Sequence, residues 1–109
     1  MERSLLEKVN KLKRSRHYRL YFENLVLDEA LNIKMKIYGD CASAEIYVEV
    51  TDGSTTRVKS FPSLARNYPY EQRRAEIAVP DINEAFRVSR QMTRRWPSRL
   101  AAAGGAGPA

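Results

Sequence analysis

Cations and phenol rings interleave along the middle of this chain, and they are the side chains whose types and spacing could do chemistry. From Tyr18 onward the apolar residues recur with period two, as Leu20 and Phe22, then Ile33, Met35 and Ile37, then Ile46, Val48 and Val50, then Val58. In a strand that period sends alternate side chains to opposite faces. If the apolar set faces helices, the set turned outward is Arg19, Tyr21, Lys34, Lys36, Tyr38, Tyr47, Arg57 and Lys59. Ammonium and guanidinium groups neutralise phosphates and aromatic faces stack bases, so such a face suits single-stranded nucleic acid. Glu45 and Glu49 share that face and dilute its charge. Lysine for solubility and tyrosine for strand propensity account for the same residues on a plainly solvated sheet.

A second cationic pattern lies near the C-terminal end. At helical spacing Arg87, Arg90 and Arg94 form a stripe opposite Ile82, Ala85, Met92 and Trp96, with Arg95 beside it. Glu84 can pair with Arg87 one turn away, but no acid follows it before Leu100. Arginine suits bidentate contact with phosphate or carboxylate, although cations near a helix C-terminus also simply complement its dipole. Trp96 falls on the apolar stripe and is expected to pack in the core.

Catalytic groups are scarce. His17 is the single histidine and Cys41 the single cysteine, so no zinc site can be assembled from them. No phosphate-binding glycine loop, nucleophile elbow or cation-binding Asp-rich loop occurs. Glu45 and Glu49 read as solvated strand residues rather than an acid–base pair, because such work also needs a shaped pocket. The expectation is a protein that is not an enzyme and carries no cofactor or metal.

These residues must be positioned by a small set of elements. Ser4 and Glu7 resemble a capping box ahead of an apolar stripe, Leu5, Leu6, Val9 and Leu12, with Arg3, Lys11 and Arg14 on the far side. Strands are expected over Tyr18–Glu23, Leu31–Tyr38, Ala44–Thr51 and Thr55–Phe61, punctuated by Gly39-Asp40 and Asp52-Gly53. Residues 62–72 read as a loop, and Ala75, Ile77 and Val79 as a short fifth strand. Pro80-Asp81 opens a last helix with Asp81 as its N-cap, and Pro97 ends it. The fold class is therefore α+β: an N-terminal helix, an antiparallel meander of four or five strands, and a C-terminal helix packed on one face. Such a sheet commonly leaves its other face wet. Residues 1–100 form one domain, and 101–109, with no large apolar side chain, form a disordered Ala/Gly/Pro tail.

The 109 residues carry a net charge of +6, split as +4 over 1–38, −4 over 39–56 and +6 over 57–109. An acidic partner is implied. The lone cysteine points to the cytoplasm or another reducing intracellular compartment, and no apolar stretch is long enough to span a bilayer. The order of helix, strands and helix is similar to that of double-stranded-RNA-binding domains and of the small Alu-domain proteins of the signal recognition particle. The last helix here begins Pro80-Asp81-Ile82-Asn83-Glu84 where the RNA-binding pattern has lysines, so the likeness is one of topology and assigns no family. The leading expectation is a nucleic-acid-binding module, RNA favoured, inside a ribonucleoprotein or viral-type assembly. The rival is a structural subunit, adaptor or protein inhibitor that docks on an acidic protein surface or on further copies of itself.

Overall fold

The computed structural model describes residues 2–96, with side chains from Ser4 onward. Seven elements follow in order: α1 (Glu2–Lys13), β1 (Tyr18–Asp28), β2 (Ile33–Asp40), β3 (Glu45–Thr51), β4 (Thr56–Pro62), α2 (Tyr70–Ala75) and α3 (Val79–Thr93). The strands form one antiparallel sheet in the order β1-β2-β3-β4, so the α+β meander expected from the residue pattern is present. The tail at 101–109 and Pro97 lie outside the described residues.

Both faces of the sheet are covered, not one. Ile33, Met35, Ile37, Ile46, Val48 and Val50 pack under α3 against Ala85, Val88, Met92 and Trp96. The alternate residues Tyr38 and Tyr47, with Val58, pack under Val9 and Leu12 of α1. A helix with a narrow apolar stripe needs an apolar surface to bury it, and two tyrosine rings stacked at 5.5 Å, with planes 4° apart, supply that surface. Ion pairs from Lys8 to Glu45 and from Lys13 to Glu49 fix the docking.

Turn length decides which face each strand presents, because a shift of one residue exchanges the faces. Leu20 pairs with Tyr38 and so lies on the α1 side, whereas Arg19 pairs with Gly39 and lies on the α3 side. Val58 pairs with Glu49, again on the α1 side, which sends Arg57 and Lys59 to the α3 side. The β1 ladder shifts register three times along its length, and Asn24 within it has a positive φ of 59°. Such bulges blunt an edge strand against pairing with other chains.

Three local expectations are corrected. The helix α1 begins at Glu2, so Ser4 and Glu7 lie inside it and form no capping box. The expected fifth strand is absent: Ala75 ends α2, and Val79 opens α3 with Pro80 in its first turn. The N-cap of α3 is Ala78, not Asp81. Asp81 is instead buried, and its carboxylate accepts bonds from the Ser63 hydroxyl at 2.5 Å and the Leu64 amide at 2.9 Å, tying the segment after β4 to the start of α3.

Candidate nucleic-acid interface

The predicted sheet face does not exist as one surface. Lys34, Lys36, Tyr38 and Tyr47 share the α1 side, while Arg19, Tyr21, Arg57 and Lys59 belong to the α3 side. Tyr38 and Tyr47 are both 0% exposed and can stack on no base while α1 is docked. The Tyr38 hydroxyl donates to Glu49 at 3.0 Å, and burial first, then the Glu49 charge, pushes its pKa well above the usual phenol range. Lys36 lies 3.9 Å from the same carboxylate. Tyr21 is half-buried, with its hydroxyl donating to the Arg73 carbonyl; desolvation leads the rise in its pKa. Its ring lies over Gly39, where an added Cβ would come within 2.9 Å of the ring, so the strand needs glycine there.

Arg57 is committed as well. Its guanidinium stands 5.2 Å from the centre of the Trp96 ring and reaches the Met92 carbonyl at the end of α3. The Trp96 indole N–H donates to Asp52 at 3.0 Å, which places Trp96 in the core as its stripe position implied. Arg19, Lys34 and Lys59 remain exposed at separate places on the sheet.

The arginine stripe of α3 is shorter than its spacing implies. The helix ends at Thr93, so Arg94 is its C-cap and Arg95, at a φ of 54°, has left the helical path. Arg87 is bonded to Glu84, as its spacing suggested, which lowers the glutamate's pKa and raises that of the arginine through their shared bond. Arg90, Arg94 and Arg95 are exposed.

A different basic cluster forms at the end of the sheet where β1 begins. The α1–β1 turn brings Arg14 and Arg16; the segment after β4 brings Arg66 and Tyr68; α2 brings Tyr70, Arg73 and Arg74. Arg73 is the clamp. It donates to the carbonyls of Cys41 at 2.7 and 3.1 Å, and to those of Arg66 and Tyr68, and its cation stands 6.0 Å from the centre of the Tyr70 ring. Arg74 bonds the Arg16 carbonyl at 2.6 Å, and the Tyr70 hydroxyl meets His17 Nδ1 at 3.0 Å. Arg14, Arg16, Arg66 and Arg74 are exposed, and none forms an ion pair with a carboxylate among the described residues. Tyr68, 44% exposed, offers a ring beside them, while Glu71 and Glu76 offset part of the charge.

Spacing alone could not assemble this cluster, because its members come from three separate segments and α2 buries no residue that would give it an apolar period. The one advance signal is the density of basic residues in 11–19 and 66–74. Cys41 is free and buried, and no three His, Cys, Asp or Glu side chains among the described residues are grouped to hold a metal. No helix among them is long and apolar enough to cross a membrane. The chain matches no known protein family, no characterised protein and no solved structure.

Proposed function

We propose that the chain is a non-catalytic nucleic-acid-binding module, with RNA favoured over DNA, that acts as a subunit of a larger assembly. The observation that carries this reading is the bonding of α2 to the segments of Arg16 and Arg66, through Arg74 and Arg73, which sets exposed arginines at one end of the sheet with no ion pair to a carboxylate among the described residues. Guanidinium groups held free of internal ion pairs are available to phosphates, and releasing the counterions around those phosphates supplies affinity without sequence preference. The burial of Tyr38 and Tyr47 moves the expected contact from base stacking on the sheet to the phosphate backbone.

Binding of a single-stranded RNA oligonucleotide, followed by fluorescence anisotropy over a salt series, tests the reading. If these arginines neutralise about four phosphates, log K should fall against log salt with a slope of about −3. A flat line, or no binding at low salt, sinks the proposal.

One observation favours an assembly or adaptor role instead. Leu64 and Val79 are each 68% exposed, and the Leu64–Asp81 bond holds their segments close together. Stable self-association of nucleic-acid-free protein in sedimentation experiments is the outcome that supports this second reading.

A further inference from the structure

Five of the six tyrosine rings are committed to the fold. Tyr18 packs on Tyr38 with 5.4 Å between ring centres, and Tyr38 in turn stacks on the buried Tyr47. The Tyr21 hydroxyl donates to the Arg73 carbonyl, and the Tyr70 ring meets His17 edge-on with the Arg73 cation on its other contact. Tyr68 is the exception. It is 44% exposed, and its side chain forms no hydrogen bond, ring contact or cation contact among the described residues.

Its backbone, by contrast, is tied at both polar groups. The Tyr68 amide donates to the Ala65 carbonyl at 2.9 Å and closes a turn with Arg66 inside it. The Tyr68 carbonyl accepts from Arg73, whose guanidinium also reaches the Arg66 carbonyl. Pro69 follows at a φ of −56° and restricts the residue before it to extended conformations. The ring therefore stands on a fixed base, with the exposed Arg66 two residues before it and Arg74, bonded to the Arg16 carbonyl, in the last turn of α2. A side chain whose backbone is already ordered makes contacts without the cost of ordering a loop.

We infer that Tyr68 stacks an unpaired base of the bound strand, so that this end of the molecule tells single-stranded RNA from a duplex through that ring. The inference rests on the nucleic-acid reading above and adds to it which form of nucleic acid is recognised, and by which side chain. Guanidinium groups alone accept any polyanion, because they neutralise phosphates whatever the backbone carries. An exposed ring beside them distinguishes a nucleic acid from other polyanions, since every base has a face to lay on it. In a duplex those faces are covered by neighbouring bases, and only an unstacked base reaches an aromatic side chain. The exposed Glu71 and Glu76 weaken phosphate contacts here but not a ring–base contact, which carries no net charge.

The test measures three probes of one length against the full chain at fixed low salt: an oligouridine strand, the same strand paired with oligoadenine, and a strand of abasic riboses with the same phosphates. The uridine strand is expected to bind about tenfold more tightly than the abasic one, as stacking of one base on an aromatic side chain supplies. Tyr68→Ala should erase that difference, with the loss confined to the uridine strand, and Tyr68→Trp should keep it, because the indole also offers a ring. Tyr68→Ala removes an exposed side chain that makes no bonds, and a thermal midpoint equal to the parent's will verify its fold. A uridine strand that binds no better than the abasic one overturns the inference and leaves the nucleic-acid reading standing, as does a difference that survives in Tyr68→Ala. An equal loss for all three probes also overturns it, since the ring would then act on phosphate contacts and not on a base. So does a Tyr68→Ala variant that loses self-association but keeps its affinity for the uridine strand, which would give the ring to a protein contact. If no probe binds at all, the nucleic-acid reading itself falls, and this inference with it.

Discussion

Asp52 joins the β3–β4 turn to the end of α3. Its carboxylate accepts the amides of Ser54 and Thr55 and the indole N–H of Trp96. The Thr55 amide is the leading cause, with Trp96 next, of a pKa lowered from 3.8 to about 2. A carboxylate whose folded pKa is depressed adds stability that is present above its unfolded pKa and is lost as pH falls through the folded value. The window therefore runs from just below pH 4 down to about pH 2. Trp96 is the only tryptophan, so its emission reports this contact directly. The emission should shift to the red across that window, and Asp52→Asn should remove the transition there; an unchanged profile in the variant would show that another group governs the release. The core position of Trp96 was legible in the apolar stripe. Its partner was not, because nothing local marks a contact between residues 52 and 96.

At the scale of elements, pattern and outcome part wherever a polar side chain does the positioning. The four strands and both long helices follow from apolar periodicity, strongest in β2, β3 and α3, which supply most of the buried core. The helix α2 buries none and is held by Arg73 bonding to carbonyls of two other segments, so residues 70–72 read as the end of a loop and Ala75 as part of a strand. Face assignment failed for a similar reason: two turns set the parity of β1 and β4, and alternation alone does not say which face is which. The bonds of Asp81 to Ser63 and Leu64 are the clearest polar anchor of this kind. Asp81→Ala leaves a buried hydroxyl and an amide without their acceptor and should destabilise the fold by about 2–3 kcal/mol in urea denaturation. Ser63→Ala leaves the buried Asp81 carboxylate short of one donor and the Ala65 amide without its acceptor, and should cost a comparable amount. A loss below about 0.5 kcal/mol in either variant would show that these bonds do not anchor the segment.

For the whole molecule, the net charge of +6 resolves into groups at opposite ends of the sheet. Arg14, Arg16, Arg66 and Arg74 gather where β1 begins, whereas Arg94 and Arg95 follow α3 to the end marked by Asp52 and Trp96, with Arg90 one turn before them. The α3 group was legible from helical spacing, and the other was not, since folding alone brings its three segments together. The two make different claims on a ligand. Charges at a helix C-terminus already interact favourably with the helix dipole, so their presence is explained without a partner. At the β1 end Arg74, in the last turn of α2, and Arg14, next after α1, share that account, whereas Arg16 and Arg66 lie outside any helix and do not. Replacing Arg14, Arg16, Arg66 and Arg74 together by alanine should therefore flatten the salt dependence of RNA binding to near zero slope, whereas Arg90, Arg94 and Arg95 replaced together should lower affinity by less than about tenfold through the general field. The α3 variant alters only exposed side chains and should keep its thermal midpoint, whereas Arg74→Ala also removes the bond to the Arg16 carbonyl, so that of the other variant should fall by a few degrees. The reverse ranking would move the interface to α3, and equal slopes would spread it over the whole basic surface.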